Sequence, residues 1–216
     1  GGANVRDRGR APCSRHLSSQ LDEEDDMDVT DLHRRTVAEF VKRLDGVGDQ
    51  WDAPTPCRDW DVRALVNHVV YEDVWTVPLM DGATVTEVGD RFEGDLLGND
   101  PVAAGQAAAD AAIIAAATGL VAGRTVHLSF GDTPAQEYAY QLAADHLIHG
   151  WDLAAATGGD RRFDPELVDA LAVWFAEREA DYRNAGAIAE RPPGDAPDDP
   201  QDRLIAAFGR RPDWSA

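Results

Sequence analysis

Between residues 139 and 156 the chain contains no Lys, Arg or Glu, yet it holds Gln141, Asp145, His149 and Asp152. A helical period of about 100° per residue places these four on one narrow strip beside Tyr138 and Leu142. Asp145 and His149 stand four residues apart and project the same way from successive turns. A carboxylate and an imidazole in an otherwise apolar helix need partners, because burying either unpaired costs several kcal/mol. A divalent cation satisfies both groups. So does a mutual Asp-His hydrogen bond facing a water-filled groove. His146, about 100° round the helix, reads as a supporting or surface group rather than a ligand.

His68 lies at the rim of an apolar stripe of Val62, Leu65, Val66 and Val69, where a side chain reaches into a bundle interior. With Asp145 and His149 it makes a set of two histidines and one carboxylate with an open position, suited to Zn²⁺, Fe²⁺ or Ni²⁺. Glu72, four residues on, either orients His68 through its second ring nitrogen or sits in solvent. His127, in a short extended segment, is placed to approach the same mouth. Glu72, His127 and His146 are therefore the candidate residues for contact with a cofactor beside the metal. His33 is expected on the solvent face of the first helix, and neither it nor His16 has a role. Cys57, flanked by Pro56 and Trp60, reads as a small packed residue rather than a thiol at the entrance. Trp51, Trp60, Trp75 and Trp151 read as core and loop anchors. No Gly-rich phosphate cradle, nucleophile elbow or kinase signature is present.

The elements that must position these residues follow from pattern and punctuation. Residues 1–26, with an acidic run from Asp22 to Asp26, are expected to be a disordered leader, and residues 27–216 one domain. Thr30 can cap a first helix ending before Gly46, and Asp61 an expected second helix over residues 62–77 that Pro78 stops. Residues 81–100 read as a long loop with a short helical piece, able to act as a lid. An alanine-rich third helix is expected over 103–118, an extended segment over 125–130, and a fourth helix from Pro134 to Ala156 with Gly158 and Gly159 beyond. A fifth helix is expected over 165–182 and a last short one over 202–208. The sum is an all-α bundle of four main helices with additional short C-terminal helices.

Composition narrows the function classes. The 216 residues carry 40 Asp and Glu against 20 Lys and Arg, a formal net charge of −20. Such a chain repels phosphate backbones and anionic lipid, so neither nucleic acid nor a membrane is an expected partner. No stretch is read as approaching the roughly 20 apolar residues of a bilayer span. Two cysteines form no disulfide framework or zinc finger, and a reducing cytoplasm is the expected compartment. Lys42 is the one lysine among the 20 basic residues, an arginine bias that fits a GC-rich genome.

Two stretches carry a family resemblance. Residues 51–70, WDAPTPCRDWDVRALVNHVV, and residues 145–158, DHLIHGWDLAAATG, resemble the two signatures of the mycothiol-dependent maleylpyruvate isomerase N-terminal domain, within the DinB-like metalloproteins. GRRPDW at residues 209–214 resembles the ending of the single-domain actinobacterial branch. The resemblance implies a DinB-like four-helix bundle holding a divalent metal, usually zinc, through His68, Asp145 and His149. Asp145 is one methylene shorter than the isomerase's Glu. It also implies a low-molecular-weight thiol, mycothiol in actinobacteria, activated for attack on an electrophilic small molecule. The isomerase has a further α/β C-terminal domain for which this chain has no room, so the expected activity is thiol S-transfer or thiol-assisted isomerisation. The alternative is a non-catalytic, metal-stabilised bundle that binds a small molecule or a protein. The fifth and last helices then either roof the site or serve a homodimer contact.

Overall fold

The computed structural model describes residues 27–216, and the expected leader of residues 1–26 lies outside the described residues. Helix α1 spans Val29–Leu44 and is capped by Asp28, not Thr30: the Asp28 carboxylate accepts from Thr30 N at 3.2 Å. Helix α2, Val62–Met80, starts where the Asp61 side chain accepts from Ala64 N at 2.8 Å. Pro78 lies inside α2 and does not stop it. Its missing N–H falls in the final turn, and the buried Leu79 and Met80 beyond it hold that turn on the core. The following loop contains one short helix, α3, Val85–Val88, closed by a Thr84/Glu87 capping box.

Helix α4 spans Pro101–Val121 and carries a single charge, Asp110. By length and composition it is apolar enough to cross a membrane, contrary to the sequence expectation. Its alanines account for that: Ala108, Ala109, Ala112 and Ala116 are buried, and the helix packs against α2 and α1. Strand β1, Thr125–Leu128, pairs antiparallel with β2, Gly131–Pro134, so the expected extended segment is half of a hairpin. The polar β2 has too little alternation to be recognised as a strand. Helix α5, Ala135–Thr157, ends on Gly158, whose φ of 72° is the left-handed cap that only glycine adopts without strain.

The expected fifth helix is two: α6, Pro165–Ala176, and α7, Glu179–Asn184. Arg178 breaks the run. Its Nη1 donates to Trp174 O at 2.6 Å while Nε and Nη2 reach the Glu137 carboxylate at 2.8 Å, so the end of α6 is tied to α5. The last helix, α8, is Pro200–Ala207. Helices α1, α2, α4 and α5 make the four-helix bundle, with α1 against α5 and α2 against α4. Helices α6 and α8 pack outside it, where Leu167, Leu171, Phe175, Ile205 and Phe208 join the core around Trp151. The chain is thus all-α with a small hairpin, a DinB-like fold.

His33 is buried inside the bundle, 1% exposed, and does not face solvent. Its ring meets His146 edge-on at 5.9 Å, and its Nε2 is buried without a hydrogen bond. Burial, reinforced by His146, pushes its pKa down to about 3. An unfolded His33 titrates near 6.5, so protonation favours the unfolded chain increasingly as pH falls from 6.5 towards about 3. In urea titrations across that window, His33→Leu is expected to lose stability with pH less steeply than the parent. Parallel slopes would show that His33 does not control the acid limb.

Candidate metal centre

The loop before α2 is held by its own backbone. Val62 N donates to Ala53 O at 3.0 Å and Arg63 N to Trp51 O at 2.9 Å, which closes residues 51–63 into a tight excursion. Inside it the buried Thr55 hydroxyl donates to Trp60 O at 2.9 Å and accepts from Cys57 N at 3.1 Å. This places the Trp60 ring 4.7 Å from His68 and 5.8 Å from His149, so one indole limits the rotation of both imidazoles.

His68 on α2 and Asp145 and His149 on α5 come together. Asp145 Oδ1 lies 3.3 Å from His149 Nε2, and Asp145 Oδ2 lies 3.6 Å from His68 Nε2. One ligand atom from each of the three lies within 4.8 Å of the other two. Asp145 Oδ2 is buried and accepts no hydrogen bond. An orphaned carboxylate oxygen facing two imidazole nitrogens fits a small divalent cation, and the nitrogen and oxygen donors suit zinc. Burial raises the Asp145 carboxyl, but His149 and His68 outweigh it and hold it well below the usual carboxylate range. Burial lowers the His149 imidazole, and Asp145 and Asp152 drive it well above its ordinary value.

Behind His149 stands a network. His149 Nδ1 lies 3.0 Å from the fully buried Asp152 Oδ2, which can only accept, so Nδ1 carries a proton and Nε2 faces Asp145 and His68. Arg210 Nη2 donates to Asp152 Oδ2 at 2.9 Å and to Cys57 Sγ at 3.1 Å, and Cys57 Sγ lies 3.3 Å from Asp152 Oδ2. Cys57, His149 and Asp152 also lie close enough to share an ion. The guanidinium already there opposes a second cation, so the His68, Asp145, His149 set is the better site. Sequence reasoning placed Asp152 on the polar strip but missed Arg210, because residues 152 and 210 are far apart in the chain and nothing local links them.

Gly209 aims Arg210 at this network. Its φ is 80°, and a Cβ there would sit 2.6 Å from Ala189 O. Gly209→Ala therefore combines backbone strain with a backbone clash and is expected to cost about 2 kcal/mol or more in chemical denaturation. A change under about 0.5 kcal/mol would mean the turn relaxes freely.

The three residues form the floor of a cavity of about 840 Å³. Glu72 and Tyr138 line it too, while Tyr182, Ile188 and Phe208 roof it from the C-terminal segment. Burial, with Asp145 beside it, raises Glu72 to about 7. His127 and His146 do not line the cavity. His127 Nδ1 pairs with Asp132 at 2.7 Å across the hairpin. His146 is fully buried, with Nδ1 donating to Leu142 O at 2.8 Å and Nε2 3.1 Å from Asp73. Both point to structural partners, because the hairpin and the α5 turn away from the cavity at those positions.

A four-helix bundle whose α2 and α5 bring two imidazoles and a carboxylate to the floor of a half-open cavity defines a DinB-like helical protein with a candidate divalent-cation site. The chain belongs to the mycothiol maleylpyruvate isomerase N-terminal domain family, whose model matches residues 30–154. It is similar to two Mycobacterium tuberculosis proteins described as uncharacterized, one from strain CDC 1551 / Oshkosh and one from strain H37Rv. Each is 37% identical over 193 residues, covering 85% of this chain and 98% of the relative. No solved structure matches the chain.

Proposed function

We propose that this chain is a metal-dependent thiol enzyme, of the thiol S-transferase or maleylpyruvate isomerase-like type. His68, Asp145 and His149 hold a divalent cation, zinc by donor set, and a low-molecular-weight thiol attacks an electrophilic small molecule in the cavity above. The observation that carries this reading is the buried, unbonded Asp145 Oδ2 facing the Nε2 atoms of His68 and His149. The family's name supplies the thiol context, mycothiol.

When bound, the cation supplies a Lewis acid that makes thiolate available near neutral pH. The chain's own residues do the rest. Asp152 fixes the proton on His149 Nδ1 and so presents Nε2. Trp60 limits rotation of both rings. The Glu72 carboxylate, which lines the same cavity, accepts the thiol proton and returns it to the departing group. The sulfur then bonds the electrophilic carbon, and in transfer the leaving group departs with its bonding electron pair. Leu142, Ile148 and Phe208 exclude water from the apolar part of the electrophile.

Metal analysis of protein purified without chelators tests the reading. Stoichiometric metal is expected in the parent and not in His68→Ala, with N-acetylcysteine or mycothiol binding in calorimetry only when metal is present. Metal retained in the variant without thiol binding would favour the structural bundle, and a metal-free parent would overturn both.

A further inference from the structure

We propose that Arg58 is an anion-recognition residue, which orients an electrophile bearing a carboxylate so that its reactive end reaches the cavity floor. The proposal rests on reading that cavity as the reaction site. Carboxylates outnumber basic residues 40 to 20 in this chain, so arginines readily find counterions. Among the described residues every other arginine side chain is engaged. Arg210 is on Asp152, Arg191 on Glu179, Arg211 on Asp213, Arg203 on backbone carbonyls, and Arg91 over the Phe92 ring. Arg58 alone has no carboxylate, carbonyl or ring partner among the described residues, and it is exposed.

Its position gives that free guanidinium a use. Arg58 lines the cavity of about 840 Å³ and also a neighbouring groove of about 610 Å³. Cys57 and Arg210 are the other residues common to both, so Arg58 stands at the junction of the two spaces. Of the arginines lining the groove, Arg191, Arg210 and Arg211 are already paired with Glu179, Asp152 and Asp213, which leaves Arg58 as its uncompensated cation, with Glu190 on the same lining. The metal cavity has the opposite bias: Glu72 and Asp145 are at its floor, and Asp59 and Asp181 are on its walls. An anionic substrate is repelled along most of that wall and attracted at the Arg58 end. This polarity fixes one orientation, with the anion at the junction and the apolar body along Leu142, Ile148 and Phe208. The backbone beneath Arg58 is held on both sides by the Thr55 hydroxyl bonds to Cys57 and Trp60. A guanidinium on a fixed stem, without an internal partner, takes a carboxylate through its fork of N–H donors.

Calorimetry with phenylacetate and its neutral isostere phenylacetamide tests this, each titrated into zinc-loaded and EDTA-treated protein. The parent is expected to bind phenylacetate at least about fivefold more tightly than the amide in both forms. Arg58→Ala should abolish the preference, Arg58→Lys keep part of it, and Arg91→Ala leave it unchanged. Equal binding of the two probes by the parent overturns the proposal. So does a preference that persists in Arg58→Ala: if EDTA removes it, the anion sits on the cation, and if EDTA does not, another arginine holds it. The titrations use no thiol, so a failure of the thiol chemistry and a failure of the anion site read out separately.

Discussion

Asp145→Ala is expected to lose zinc affinity by more than about 100-fold, measured by competition with a chromophoric chelator, while its helical circular dichroism is unchanged. Groups that only orient a metal-bound histidine are worth about 10- to 100-fold in affinity, and Asp145 faces both imidazoles directly. The fold is expected to survive because Asp145 Oδ2 has no hydrogen bond to lose and His149, which loses Oδ1, keeps its buried partner Asp152. Asp145→Glu, which restores the carboxylate with one more methylene, is expected to recover most of the affinity if the cavity side of α5 accommodates it. Zinc binding by Asp145→Ala equal to that of the parent would remove this residue from the centre and leave the two histidines without their anionic partner.

Asp152→Ala is expected to act on stability instead, with a loss of about 3–5 kcal/mol in urea titration. The Asp152 carboxylate is 0% exposed and accepts from Arg210 and from His149 Nδ1. Truncating it strands a largely buried guanidinium and an imidazole, and a stranded buried charge costs far more than the pair contributes. A loss of that size is a large share of a typical domain's total stability. Asp152→Asn, which keeps an accepting oxygen, should lose less. Burial raises the Asp152 carboxyl, but Arg210 and His149 outweigh it and hold it below its ordinary value. The group therefore stabilises the fold above the unfolded value of 3.8, and that contribution is lost as pH falls through the lower folded value. The parent should consequently show an acid-unfolding step below pH 3.8 that Asp152→Ala lacks. A loss under about 1 kcal/mol would mean that Arg210 finds another anion or water when the carboxylate is gone.

The floor of the site is legible in sequence because it obeys helical spacing. Asp145 and His149 are one turn apart on a helix with no other solvating charge, and His68 sits on the rim of an apolar stripe, so periodicity alone nominates all three. The burial of His33 was not legible, since α1 presents it at the seam with α5, and only the packing of two helices shows which side of a seam faces inward. The roof was not legible either. Tyr182, Ile188 and Phe208 reach the cavity because Arg178 breaks the run after α6 and ties it to Glu137, a tertiary bond with no local signature. The second strand was hidden by its polar composition, and Pro78 read as a stop although its helix had a core contact to reach. What the chain determines locally is placement along a helix. What it leaves to tertiary contact is which distant segment covers that helix.

The Gly209–Arg210 corner has a consequence for the order in which the molecule is completed. Ribosomal synthesis delivers α1 to α5 first, so the bundle emerges with the Asp152 charge still waiting for its guanidinium, which arrives 58 residues later. Nascent protein halted before that point would carry the helices of the candidate site without the clamp that steadies them, and quality-control proteases would meet that species first.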